Sequence, residues 1–339
     1  MTIRIGVVGA GANTRSRHIP GFQAIDGVEV VAVCNRTRPS GQKAADEFGI
    51  PNVYDDWQEL VDAEEVDAVC VGTWPYLHCA ITLASLAAGK HILTEARMAM
   101  SLEEGCRMLA AAQASDKVAM IVPAPFYLES EPTLRQMVAD GEFGDWLEIH
   151  VNALTGDWRP EAPIHWRQRR ELSGDNIMSM GILNETVRRY AGHDRALSAQ
   201  GQTFVGTRPD AEGGTATVDV PDSLGVLSQL ENGATAVYHL SSVAAHGRGG
   251  CIEMHGTKGA FRLEGGNAFI AIGDDDFTEL KVAPDKEWGW TVEADFVDSI
   301  RDGKAVTHTS FEDGVKYMAF TDAVQTSLRE GCRVDLPAV

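Results

Sequence analysis

The sequence predicts an α/β chain of two parts: an N-terminal doubly wound domain over residues 1–122, and a second α+β domain over 123–339 built on an open, mainly antiparallel sheet. Three observations carry this. Short apolar runs alternate with amphipathic helical stretches through the first third, the pattern of a parallel sheet covered on both faces. The texture changes after Pro123, where longer alternating runs and turn signals take over. The length of 339 residues suits two cores better than one.

In order, the first domain reads as strand Ile3–Val8, a helix from about Asn13, strand Val28–Cys34, helix Gln42–Phe48, strand Val66–Val71 and helix Tyr76–Ala88. A short strand His91–Leu93, helix Leu102–Ala114 and strand Val118–Val122 close the series. In the second domain Trp146–Leu154 reads as a long strand and Asn176–Tyr190 as a helix. Leu224–Leu230 and Ala234–Leu240 flank Glu231-Asn232-Gly233, a strong hairpin signal. Helices near Thr291–Ile300 and Gly314–Arg329 end the chain; the last of them is expected to be able to pack back on the first domain. A sheet with helices on one side leaves its other face to solvent or a partner, so a homodimer or homotetramer is expected.

Composition narrows the function. Apolar residues make up 44% and charged residues 23%, and the net charge is -20. That charge disfavours nucleic acid and anionic membrane, which reward a basic face. The six cysteines are scattered without a C-x-x-C pair, which argues against a disulfide framework or zinc site. No leader opens the chain and no apolar run reaches the roughly 20 residues that span a bilayer, so a cytoplasmic protein is expected. No metal site, nucleophile elbow or phosphate-loop lysine motif stands out.

The first strand leads into Gly9-Ala10-Gly11-Ala12-Asn13-Thr14. Gly9 permits the tight turn; Gly11 lets the backbone approach a pyrophosphate at a helix N-terminus, where free N–H groups favour an anion. Thr14 stands where a third glycine or alanine is usual. At the end of the second strand a carboxylate would bind the ribose 2′-hydroxyl of NAD, and arginine would accept the 2′-phosphate of NADP. The sequence there is Asn35-Arg36-Thr37-Arg38, with no carboxylate and two guanidiniums. NADP is therefore the expected cofactor, with NAD the alternative.

Gly9-x-Gly11, Arg17-His18-Ile19-Pro20, Val30-Val31-Ala32-Val33-Cys34, Thr73-Trp74-Pro75-Tyr76-Leu77-His78 and above all Ala88-Gly89-Lys90-His91-Ile92-Leu93-Thr94-Glu95 resemble the glucose–fructose oxidoreductase and inositol dehydrogenase (Gfo/Idh/MocA) family. Glu142-Phe143-Gly144 and Phe296-Val297-Asp298-Ser299-Ile300 extend the likeness across the chain. The resemblance implies hydride transfer between a nicotinamide and a sugar, polyol or sugar-acid-like substrate. It also implies cofactor contacts from Thr73, Trp74, His78, Glu95 and Ala96. Family members continue Glu-Lys-Pro, the proline commonly after a cis bond, and later carry Asp-x-Gly-x-His. This chain has Glu95-Ala96-Arg97 and Ser179-Met180-Gly181-Ile182-Leu183. The proton-handling lysine, aspartate and histidine are replaced by Ala96, Ser179 and Leu183, so a different proton relay is expected.

Candidates for that relay are the polar groups nearby. Arg97 suits anchoring a carboxylate or oxyanion. His165 titrates near neutrality. Tyr127 could donate to a substrate oxygen. Asn184 shares a helix face with Met180, and with it could meet substrate. Glu185 is either an acid–base group or the partner of Arg188 or Arg189. The stretch Trp158–Arg170, with Trp166 and Arg167, suits an anionic or aromatic ligand. The alternatives are a redox-neutral lyase, isomerase or glycosidase-like enzyme holding its nicotinamide tightly, and a cofactor-binding sensor without catalysis.

Overall fold

The computed structural model describes residues 2–126, 129–282, 289–306 and 309–337. The chain forms two compact units, Met1–Pro123 with Thr291–Val315, and Ala124–Trp290 with Lys316–Val339. The segment 291–315 thus clusters with the first unit although all but the last strand of the second sheet precedes it. The helix that returns is Val292–Asp302, whereas most of the last helix, expected to be able to pack back, belongs to the second unit.

In the first unit, β1 (Ile3–Val8), β2 (Val28–Cys34), β3 (Asn52–Tyr54), β4 (Ala68–Val71), β5 (His91–Thr94) and β6 (Ala119–Ile121) form one sheet in the order β3-β2-β1-β4-β5-β6. Every ladder is parallel. Ile5, Val7, Ala32, Val33, Ala68, Val69, Ile92 and Leu93 are fully buried, as apolar runs covered on both faces must be. β3 was not read from the sequence: three half-exposed residues at an edge give no period to detect.

Local chemistry sets the helix ends. Asp56 accepts from the Gln58 N–H at 2.9 Å to start Trp57–Asp62. Gly49, at φ +68°, ends Arg38–Phe48. The helix expected from Asn13 is in two pieces, a wide turn over Thr14–His18 followed by Ile19–Gln23. The returning helix Val292–Asp302 packs Phe296 edge-on to Phe22, with ring centroids 6.3 Å apart, and Arg301 donates to the Asp26 carbonyl.

In the second unit, β7 (Trp146–Leu154) and β8 (Asp194–Gln202) are followed by a small ribbon of β9 (Thr207–Pro209) and β10 (Thr215–Thr217). Then come β11 (Ser223–Leu230), β12 (Thr235–Ser241), β13 (Gly249–Gly256), β14 (Gly259–Glu264), β15 (Asn267–Ile272), β16 (Thr278–Glu279) and β17 (Val334–Asp335). The large sheet runs β16-β15-β14-β13-β7-β12-β11-β8-β17. All its ladders are antiparallel except β7 with β12, which is parallel. The Asn-Gly hairpin forms as expected: β11 pairs β12 from Ser223↔Ser241 to Gln229↔Thr235, Asn232 Oδ1 accepts from Ala234 N, and Gly233 takes φ +93°.

One face of this sheet, including Ile149, Val226, Tyr238 and Met254, packs against Met180, Val187, Phe320 and Val324. The other face leaves the directly paired Leu227 and Val237 at 53% and 40% exposure. The helix expected over Asn176–Tyr190 begins only at Met180, because Met178 adopts φ +47°. Among the described residues no helix is long and apolar enough to cross a membrane.

Candidate active site

The glycine turn sits at the carboxyl edge of the parallel sheet, where β1 and β4 diverge to opposite sides. Doubly wound sheets bind dinucleotides across such a switch point. Gly9 takes φ +91°, and a Cβ there would lie 2.7 Å from the Thr73 nitrogen. Gly11 differs: a Cβ would meet only the Gly72 carbonyl oxygen, at 3.6 Å. The protein does not need glycine at 11 for its own packing, and the bare backbone fits a pyrophosphate. Thr14 is buried and its hydroxyl donates to the Gly9 carbonyl at 3.1 Å. A Cβ at Gly72 would lie 2.0 Å from that hydroxyl oxygen. Threonine at the position of the usual third glycine therefore ties the turn, and Gly72 makes room for it.

A cavity of about 420 Å³ opens beside this turn, lined in part by Gly9, Gly11, Asn35, Arg36, Ser40, Thr73 and Trp74. Asn35 organises its floor, accepting from the Ala10 N–H at 2.7 Å and donating to the Ser40 hydroxyl at 2.9 Å. The Arg36 guanidinium lies 5.9 Å from the Trp74 ring centre and has no carboxylate partner among the described residues. Asp55 and Asp56 also line the cavity. Asp55 is taken by Arg38 at 2.8 Å, and Asp56 caps its helix.

The pairing with Asp55 corrects the expectation for Arg38: that charge is spent on a neighbouring carboxylate, and neither Arg38 nor Thr37 is part of the cavity wall. His78 needs correction as well. It is buried, with Nδ1 2.9 Å from the Arg97 carbonyl and Nε2 3.0 Å from the Thr73 carbonyl. Burial holds the ring below its usual pKa. A neutral ring donates to only one of these carbonyls, and His78 sits buried between the Thr73 and Arg97 carbonyls, outside the cavity wall.

At the end of β5, Glu95 leads into Ala96 and Arg97 across a cis peptide between the latter two. Glu95 Oε1 accepts from Asn13 Nδ2 and from His18 Nε2, the latter at 3.0 Å. His18 Nδ1 donates to Glu293 Oε1 at 2.5 Å. A Cβ at Gly21 would lie 2.8 Å from Glu293 Oε2, so glycine at 21 admits that carboxylate. Burial opposes charge on His18, yet the bonds to Glu293 and Glu95 outweigh it and lift its pKa to about 9. Burial likewise opposes charge on Glu95, but the bond to His18 holds it below the usual glutamate value. The sequence alone does not reveal this trio. Its members lie 77 and 275 positions apart; the one available signal was that His18 and Glu95 both fall in resemblance motifs. Arg97 is not the surface residue it could have been: it is 1% exposed.

In the second unit the structure overturns two expectations and decides between the alternatives of a third. Asn184 is fully buried, and its amide donates to Asp194 Oδ2 at 2.7 Å and Tyr238 Oη at 3.1 Å. Met180 is fully buried in the hydrophobic core. The face they share points into the sheet, because the apolar stripe of the helix includes Met180, Leu183 and Val187. Glu185 takes the structural alternative: Oε1 accepts from Ala124 N at 3.1 Å and from Arg189 Nη2 at 2.8 Å. Arg189 also reaches Glu131 at 2.9 Å.

His165 is exposed and starts the short helix Trp166–Gln168, its Nδ1 accepting from the Arg167 N–H at 3.2 Å. The Arg167 guanidinium stacks 4.1 Å from the centre of the Trp166 ring. Tyr127 lies outside the described residues.

A doubly wound sheet with a glycine turn, an anion-accepting backbone and a polar cavity at the ribose position defines a dinucleotide-binding oxidoreductase. Comparison with known proteins gives the family. Residues 3–122 match the model described as "Oxidoreductase family, NAD-binding Rossmann fold", and 132–262 match "GFO/IDH/MocA C-terminal domain". The chain belongs to the Gfo/Idh/MocA family of oxidoreductases and is an NAD(P)-dependent enzyme.

Levoglucosan dehydrogenase of Pseudarthrobacter phenanthrenivorans is 26% identical over 88% of this chain and 87% of its own. The 1,5-anhydro-D-fructose reductase of Ensifer adhaerens is 28% identical over 76% and 74%. Inositol 2-dehydrogenase of Klebsiella pneumoniae is 33% identical over 46% of this chain and 48% of its own. A solved structure of levoglucosan dehydrogenase with NADH and levoglucosan superposes with a TM-score of 0.88, covering all of both chains at 24% identity. That likeness describes the fold.

Proposed function

We propose that this enzyme transfers a hydride between NADP and a hydroxyl or carbonyl carbon of a sugar, polyol or sugar acid. The observation that carries the cofactor preference is the end of β2. Arg36 stands on the cavity wall without a carboxylate partner among the described residues, beside the Asn35 amide and the Ser40 hydroxyl, and no carboxylate occupies the position that would bind an unphosphorylated ribose. A guanidinium with two neutral polar groups favours a 2′-phosphate. Titrating the apo protein with NADP and NAD tests this: at least tenfold tighter binding of NADP is expected, and tighter binding of NAD overturns it.

The substrate class rests on the named activities of the relatives, all on sugars or cyclitols. The nicotinamide, when bound, accepts or donates the hydride; this chain must supply a group that moves the hydroxyl proton, and Ala96 and Leu183 cannot. We assign that task to His165, whose Nδ1 accepts from a backbone N–H, leaving the proton of the neutral ring on Nε2. Arg97, expected as the anchor of a substrate oxygen, is 1% exposed and is not assigned that task. The stacked Trp166–Arg167 pair favours an anionic substrate. Absorbance at 340 nm with neutral sugars, cyclitols and sugar acids checks this preference, sugar acids being the expected winners. His165→Gln should lower kcat with little change in KM.

The exposed Leu227–Val237 face is proposed as the contact between copies in a homodimer or homotetramer, and light scattering reads that directly.

A further inference from the structure

The His18 trio has no counterpart in what the glycine turn requires, and its position gives it a task. The cavity at Asn35 and Arg36 puts the adenosine over the β1–β2 half of the carboxyl edge. A dinucleotide crosses the switch point, so its nicotinamide belongs to the β4–β5 half, where Glu95 ends β5. The Glu95 side chain reaches back to Asn13, just past the glycine turn. Only one of its oxygens is used by protein: Oε1 holds Asn13 and His18, while Oε2 has no partner among the described residues. Its side chain is 16% exposed, against 0% for His18 and 4% for Glu293. The carboxylate therefore keeps one oxygen without a protein partner on a side chain that is 16% exposed, and is held by an imidazole that a second carboxylate holds in turn.

Resting on the cofactor reading above, we propose that Glu95, positioned by His18 and Glu293, sets which redox form of the cofactor this enzyme binds more tightly, favouring the oxidised one. The reason is charge. The oxidised nicotinamide ring is a cation and the reduced ring is neutral. Within the trio, two carboxylates around one imidazolium leave one net negative charge, and Glu95 Oε2 is unpartnered among the described residues. In a half-buried crevice, where the effective dielectric constant is near 20, opposite unit charges several ångströms apart change an equilibrium by about tenfold or more. The resemblance places a lysine at position 96, whose charge would oppose this field; here position 96 is Ala96, and the cation beside it is the buried Arg97. Glu95 is thus a binding group toward the cofactor, and His18 and Glu293 are positioning residues.

The test measures dissociation constants of the full-length apo protein for NADP⁺, NADPH and 2′-phospho-ADP-ribose, which lacks the ring. Glu95→Gln keeps an acceptor for Asn13 and His18 but removes the charge. Ala96→Lys adds the opposite charge at the next residue, and Ala96→Gln controls for size. Expected is a shift of about tenfold toward NADPH in the NADP⁺/NADPH preference of Glu95→Gln and of Ala96→Lys. Ala96→Gln should leave the preference unchanged, and the ring-less fragment should bind each variant as it binds the parent. A preference unchanged within twofold in both charge variants, with both forms still bound, overturns the proposal. So does an equal loss for NADP⁺, NADPH and the fragment in Glu95→Gln, which would make Glu95 a plain ribose contact. If Glu95→Gln does not fold, Ala96→Lys decides alone. A parent protein that binds none of the three overturns the cofactor reading itself.

Discussion

Each unit buries charged side chains, and the two do so to different ends. In the first unit, His18, Glu95 and Glu293 form a chain whose outermost carboxylate, Glu95, is 16% exposed and keeps one oxygen without a partner among the described residues. In the second, Asn184, Asp194, Ser228 and Tyr238 close on one another: Ser228 Oγ donates to Asp194 Oδ1 at 2.5 Å, and Asn184 joins Asp194 to Tyr238. Beside them Arg189 pairs with both Glu131 and Glu185 within the fold. Burial pushes the Asp194 carboxyl above its ordinary value, whereas the partner imidazole holds Glu95 below its own. The comparison teaches that a buried polar cluster is a site only where a group faces outward. A closed cluster specifies the packing of helix on sheet.

The largest effect expected belongs to the closed region. Arg189→Met strands Glu131 and Glu185 in the core and should cost roughly 3–5 kcal/mol in a denaturant titration, while the folded protein still binds cofactor. Asp194→Ala, which removes the carboxylate that accepts from Asn184 and Ser228, should cost roughly 2–3 kcal/mol by the same assay. A small effect for either would break the assignment of these groups to the fold.

The open region should instead respond to pH. The folded pKa of His18, about 9, exceeds its unfolded value near 6.5. Its stabilisation is therefore fully present below about pH 6.5 and is lost as pH rises through about 9. The parent Tm should fall across that window, and in His18→Gln the fall should be flatter by roughly 2–3 kcal/mol of stability. Arg36→Ala should weaken NADP about tenfold to a hundredfold with little effect on NAD, read by titration. Smallest is Arg38→Ala. Its exposed pair with Asp55 should contribute under about 1 kcal/mol, and the ratio of NADP to NAD affinity should stay within twofold.

The sequence by itself determined the parallel sheet, through the alternation of apolar strands with helices, and the glycine turn and the Asn-Gly hairpin, because those rest on backbone angles within a few residues. Gly9 at φ +91° and Gly233 at φ +93° are such positions. It also determined the absence of a carboxylate at the end of β2, since motif spacing alone places Asn35 and Arg36 there.

Only the tertiary structure decided how the polar residues divide. Asn184 and Met180 share a helix face in any sequence reading, but which way that face points depends on the sheet beneath it, and the sheet claimed it. Arg36 and Arg38 look alike in sequence; Asp55 lies within reach of one and so removes it from the cavity. Glu95 carried a family motif, yet its meaning required His18 and Glu293, brought beside it from 77 residues before and nearly 200 after by a returning segment. Periodicity and motif spacing are local and survive in one dimension. The partner of a buried charge is chosen by packing, and that choice exists only in three.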